Sequence, residues 1–291
     1  MNKFFNPEIT SWSSLVQRPL YSLDSVKDVV DGIFNNVELY GDKSLIDYTN
    51  KFDNVKLTDL KINADKISNS EKNIDKELKD AINIAFDNIY KFHENQIYKS
   101  KKIETTKGVL CWQEKRAIEN VGLYIPGGTA PLFSSVLMLA IPAMIAQCKN
   151  IVLCSPPDKN GELHPAILYC AKLCKIDTVI SVGGAQSIAA MSLGTETVPK
   201  VNKIFGPGNQ FVTYAKLKSI NFNTAIDMPA GPSELLVVAD KYANPNYIAS
   251  DLLSQAEHGP DSQVIFVSLS KSLIDDVEKC IYDQIKNLDR K

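Results

Sequence analysis

The richest polar cluster in the sequence is Ser254-Gln255-Ala256-Glu257-His258-Gly259-Pro260-Asp261. It follows Asp251-Leu252-Leu253, which reads as the end of a helix that Gly259-Pro260 terminates. Gln255 and His258 are three apart, so they share a helix face and can meet one ligand. Histidine is a frequent zinc ligand and glutamine a rare one. Zinc needs about four ligands, and this segment offers two. A helix-end histidine bonded to a neighbour is the simpler reading of these residues alone. His93 and His164 read as surface residues of helices.

A second set of chemistry-bearing residues lies on glycine and proline loops: Pro126-Gly127-Gly128, Ser155-Pro156-Pro157, Gly183-Gly184-Ala185-Gln186 and Gly206-Pro207-Gly208-Asn209. Such loops offer backbone N–H groups and close approach to a phosphate or flat cofactor. Neither a G-x-G-x-x-G fingerprint nor a Walker A motif is present: Gly206-Pro207-Gly208 starts like the former, but Phe211 stands where its third glycine should be. Tight turns without a ligand explain any one loop equally well; four together point to a ligand crevice. There is no Ser-His-Asp order, no H-E-x-x-H and no kinase set. The six cysteines form no C-x-x-C pair, and Cys170 and Cys174, one helical turn apart, read as small core residues.

The elements that must position these residues fall into two textures. Ser25 to Tyr40 and Glu71 to Gln96 carry apolar residues at helical spacing, the first ending at Gly41. Lys101 to Arg116 reads as a hairpin around Thr105-Thr106-Lys107-Gly108. From Val121 onward, strand, Gly/Pro loop and helix recur, which predicts a parallel sheet covered by helices. Right-handed crossovers then bring the loops to the C-terminal edge of the sheet, where open α/β sheets bind ligands. The stretch Ala225 to Glu234 reads as a crossing into a second domain. The expected division is residues 1–20 plus 121–232 as an α/β domain with the Gly-rich loops, and 21–120 plus 233–291 as a discontinuous second α/β domain.

The chain has 291 residues, 44% hydrophobic and 23% charged, with formal net charge −2. That composition predicts a globular protein with a sizeable core. Its weak net charge argues against nucleic acid and anionic membranes as partners. The most apolar run, Leu132 to Cys148, is too short to span a bilayer. No targeting segment is visible, so reduced thiols and a cytoplasmic location are expected.

Five motifs in order and spacing resemble the histidinol dehydrogenase family: Val121 to Gly128, Gly183 to Gln186, Phe205 to Asn209, Asp227 to Glu234 and Ser254 to Asp261. The resemblance implies two α/β domains with mainly parallel sheets, similar to incomplete Rossmann folds and aldehyde-dehydrogenase-like. It implies a homodimer that oxidises L-histidinol to L-histidine through histidinaldehyde. That is a four-electron oxidation using NAD, with one zinc per active site. Carried over by motif, Tyr124, Gln186 and Asn209 correspond to NAD-contacting positions and Ser233 to a substrate-contacting one. Gln255 and His258 correspond to zinc ligands that also touch substrate. The family's proton-transferring Glu-His pair and its other zinc ligands would lie beyond Lys291. The resemblance therefore assigns no catalytic residue within this chain, and it leaves the second domain incomplete. A catalytically inactive binding or assembly remnant of the family is the alternative reading.

Overall fold

The structure is a computed structural model describing residues 1–17, 24–98, 100–127, 131–229, 233–257 and 262–288. Residues 23–230 form one compact unit, and residues 1–22 with 231–291 form another. Helix α1 (Ile9–Leu15) belongs to the latter.

The larger unit begins with α2 (Asp24–Phe52), which breaks at Gly41 (φ 50°, ψ −130°). A side chain at Gly41 would collide with the Glu196 carboxylate. That carboxylate instead accepts the Asp42 N–H at 2.9 Å and restarts the helix. Next come α3 (Ala64–Asn69) and α4 (Lys76–Glu94). Asp75 caps α4 by accepting the Leu78 N–H at 2.7 Å. The expected hairpin is β1 (Ile103–Thr106) and β2 (Val109–Cys111), turning at Gly108 with φ 83°.

The predicted rhythm of strands and helices follows: β3 (Asn120–Tyr124), α5 (Phe133–Ile145), β4 (Asn150–Cys154), α6 (Pro165–Leu173), β5 (Thr178–Ile180), α7 (Gly184–Leu193), β6 (Lys203–Phe205), α8 (Gln210–Ser219) and β7 (Ala225–Ile226). The five strands are parallel, in the order β5-β4-β3-β6-β7. Successive strand residues point to opposite faces, and both faces are buried. Tyr124, Val152 and Ile180 join Val30, Phe34, Ile188 and Val212 in one core cluster. Leu123, Leu153 and Val179 join Ile82, Val136 and Ile167 in the other.

This architecture corrects the expected domain division. The expected division places α2 and α4 with residues 233–291, but they pack with α7 and α5 in the sheet-bearing unit. The physical reason is that a parallel sheet needs cover on both faces, and the apolar stripes of α2 and α4 supply part of it. Residues 1–17 likewise fall in the other unit rather than with the sheet. Lys3 there bonds Asp275 at 2.9 Å and Glu278 at 2.6 Å.

The smaller unit adds β8 (Glu234–Ala239), α9 (Pro245–Ala256), β9 (Gln263–Ser268) and α10 (Lys271–Ile285). Strands β8 and β9 are parallel. One face of the pair packs with Ile248, Leu252, Leu273 and Val277, whereas Leu236 and Val238 are exposed. The boundary between the units, at 230/231, lies within the stretch 225–234. Among the described residues, no helix is long and apolar enough to cross a membrane.

Candidate functional site

The strand order reverses between β3 and β6, and this reversal sets the candidate site. An open parallel sheet forms a crevice at such a switch point, because the loops from its two central strands leave in opposite directions. Tyr124, the last residue of β3, is 4% exposed. Its hydroxyl oxygen accepts the Gly184 N–H at 3.2 Å, at the start of α7. Burial pushes the phenol pKa up to about 12, the Gly184 hydrogen bond opposes this, and the nearby Asp53 charge adds to it. Tyr124 is therefore a neutral phenol with an O–H to donate.

The loops around Tyr124 are held by contacts that require glycine. A side chain at Gly127 or at Gly183 would collide with the ring of Pro156, which sits between them. At Gly206, with φ 138°, a Cβ would collide with the Tyr124 carbonyl oxygen. Loop-to-loop packing thus accounts for these glycines. Gly206→Ala is expected to destabilise the larger unit by about 2–4 kcal/mol, since backbone strain and steric overlap add. A denaturant melt checks this; an unchanged midpoint would mean that the loop relaxes freely.

An ion pair between a buried lysine and a half-buried aspartate fixes the Gly206 loop. Lys216 of α8 is 3% exposed, donates to the Gly206 carbonyl at 2.8 Å and pairs with Asp227. Asp227 in turn accepts the Gly206 N–H at 2.8 Å. Neither role is visible in the sequence. Asp227 lies in a quoted motif, but Lys216 is one lysine among many on an ordinary helical pattern.

Gln186 is buried in the first turn of α7. Its amide oxygen lies 2.6 Å from where a Gly184 Cβ would be, so Tyr124 and Gln186 converge on Gly184. Asn209 has a structural duty: its Oδ1 caps α8 by accepting the Phe211 and Val212 N–H groups, each at 3.1 Å. Only its Nδ2 donor remains for a ligand. Ser233 is exposed, immediately before β8.

Gln255 is half-buried in the last turn of α9, and its Nε2 is buried without a partner among the described residues. Such an amide N–H needs an acceptor, whereas a metal ion would take the Oε1 of the same side chain. His258 lies outside the described residues. Among the described residues no group of three or more His, Cys, Asp or Glu could hold a metal. These residues by themselves therefore do not make a zinc site, and Gln255 fits only as one member of a larger donor set. His164 caps α6, accepting the Ala166 N–H at 3.2 Å, and His93 pairs with Gln96 at 2.8 Å. Burial pushes the Cys170 and Cys174 thiols up to about 12, consistent with inert core residues.

A parallel sheet reversing at β3 and β6, with Tyr124 and Gln186 meeting at Gly184 beside the reversal, defines a Rossmann-like α/β protein. The family model described as histidinol dehydrogenase matches residues 16–291. A histidinol dehydrogenase of Bacteroides thetaiotaomicron is 52% identical over 285 residues, covering 98% of this chain and 67% of the relative. One of Escherichia coli K12 is 50% identical over 279 residues, covering 95% and 63%. The crystal structure of histidinol dehydrogenase from Elizabethkingia anophelis superposes with a TM-score of 0.91 at 50% identity, covering 99% of this chain and 66% of that one. The chain belongs to the histidinol dehydrogenase family, a family of oxidoreductases. It spans about two thirds of the length of the relatives it matches.

Proposed function

We propose that this chain carries the nucleotide- and substrate-binding parts of a histidinol dehydrogenase. That enzyme oxidises L-histidinol to L-histidine through histidinaldehyde with two NAD, in the last steps of histidine biosynthesis. The observation that carries the reading is identity of 50–52% along nearly the whole chain. The switch-point geometry adds chemical sense to it. NAD, when bound, accepts the hydride. On this reading the neutral Tyr124 hydroxyl, the Gln186 amide and the Asn209 Nδ2 orient the cofactor by hydrogen bonds. Ser233 contacts the substrate. Gln255 and His258 supply two donors for a zinc ion, one per active site, beside the substrate. The protein acts as a cytoplasmic homodimer. The alternative of an inactive binding remnant draws no better support.

The test is NADH formation from L-histidinol with added zinc. The chain would be combined with the C-terminal third of the Bacteroides thetaiotaomicron relative. Two NADH per histidinol, abolished by a chelator, is the expected result. Absence of NADH from a mixture in which both pieces are folded and associated would overturn the reading.

A further inference from the structure

We propose that Asp53 is a ligand-binding residue of the switch-point crevice, accepting a hydrogen bond from a vicinal hydroxyl of a nucleotide ribose. The inference rests on the nucleotide reading of the crevice above.

Asp53 directly follows α2, and its N–H donates to the Thr49 carbonyl at 2.9 Å. Its Oδ2 is buried and accepts from no described group. Thr49, one turn earlier on the same face, also has a buried hydroxyl without a partner among the described residues. The chain just beyond, Val55 and Leu57, shares a core cluster with Tyr124. An influence of the Asp53 charge on the Tyr124 phenol agrees with that placement.

This carboxylate is unfavourable on three counts. Partial burial removes some of its water and raises its pKa. It sits at the negative end of a helix. One of its oxygens lacks a donor. A group in that condition is a candidate for a ligand that brings the missing donor.

The chemistry of that ligand follows from what is absent elsewhere. In dinucleotide-binding folds, a carboxylate about 20 residues past the glycine loop, beyond the second strand, accepts from a ribose hydroxyl. Here the second strand, β4, ends in Cys154 and runs into Ser155-Pro156-Pro157, with no acid. The next acid, Asp158, is occupied within its own turn, accepting the Asn160 and Glu162 N–H groups at 2.8 and 2.9 Å. Asp53, directly after α2 and next to the Val55 and Leu57 that share a core cluster with Tyr124, is the carboxylate assigned to that role instead. A carboxylate repels phosphate and welcomes hydroxyls, which selects the sugar part of a nucleotide.

Calorimetric titration with NAD, and with an NAD analogue lacking the ribose hydroxyls, tests the proposal on the parent chain, Asp53→Ala and Asp53→Asn. Asp53→Ala is expected to weaken NAD binding about tenfold, as loss of a charge-assisted hydrogen bond does. Asp53→Asn keeps the shape and one acceptor, so it is expected to fold like the parent and show a smaller loss. The analogue is expected to bind all three alike. Unchanged NAD affinity in Asp53→Asn and Asp53→Ala would overturn the inference while leaving the nucleotide reading intact. So would an equal loss for the analogue. If Asp53→Ala does not fold, unchanged affinity in Asp53→Asn alone is decisive. A parent chain that binds neither nucleotide would overturn the nucleotide reading and the inference together.

Discussion

Lys216→Met is expected to lower the stability of the larger unit by about 3–5 kcal/mol, because it leaves Asp227 without its buried partner. Lys216 is almost fully buried, with its ammonium shared between the Gly206 carbonyl and the Asp227 carboxylate. Methionine retains most of the apolar stem and removes only the charge and its donors. In a unit of this size each kcal/mol shifts the melting temperature by about 2–4 °C, so a fall on the order of 10 °C should be seen by circular dichroism. The double variant Lys216→Met/Asp227→Asn should recover part of the loss, since no uncompensated charge remains. Equal melting temperatures for the parent and Lys216→Met would show that the pair contributes no net stability. The same substitution frees the Gly206 loop against Tyr124, so on the proposed reading NAD affinity falls as well.

The second large effect concerns metal. On the proposed function, Gln255→Ala and His258→Ala each remove a ligand from the zinc ion. Changes to residues that merely support ligands cost about 10–100-fold in affinity, so loss of a ligand itself is expected to cost at least about 100-fold. Competition with a chromophoric chelator measures this directly. Gln255→Glu restores an oxygen donor and should recover much of the affinity. Gln255 is a sharp test because its amide nitrogen is buried without a described partner. Truncation to alanine removes that unfinished group, so the apo protein should not be destabilised by it. Zinc affinity unchanged in both alanine variants would remove these two residues from the metal site.

Short-range chemistry was legible in the sequence. The break at Gly41, the turn at Gly108 and the alternation of strands and helices from Val121 are local patterns that dihedral preference and hydrophobic period determine. The motif positions Tyr124 and Gln186 were legible too, and right-handed crossovers alone bring their loops to one edge. The capping role of Asn209 is equally local, since an asparagine before a helix bonds its first N–H groups. Other features were decided only by the tertiary structure. Periodicity states that α2 and α4 have an apolar face but not what that face covers; packing against α7 and α5 decides it. The glycine and proline loops suggest backbone N–H groups for a phosphate or flat cofactor, but the sequence does not show what packs against Gly127, Gly183 and Gly206. In the structure, Pro156 and the Tyr124 carbonyl occupy the space where their side chains would be. Lys216 and Asp53 resemble any other charged residue in the sequence. Burial, a helix end and neighbours brought from distant segments turn one into a clamp and the other into an unmatched carboxylate. Those conditions are long-range, and no local pattern encodes them.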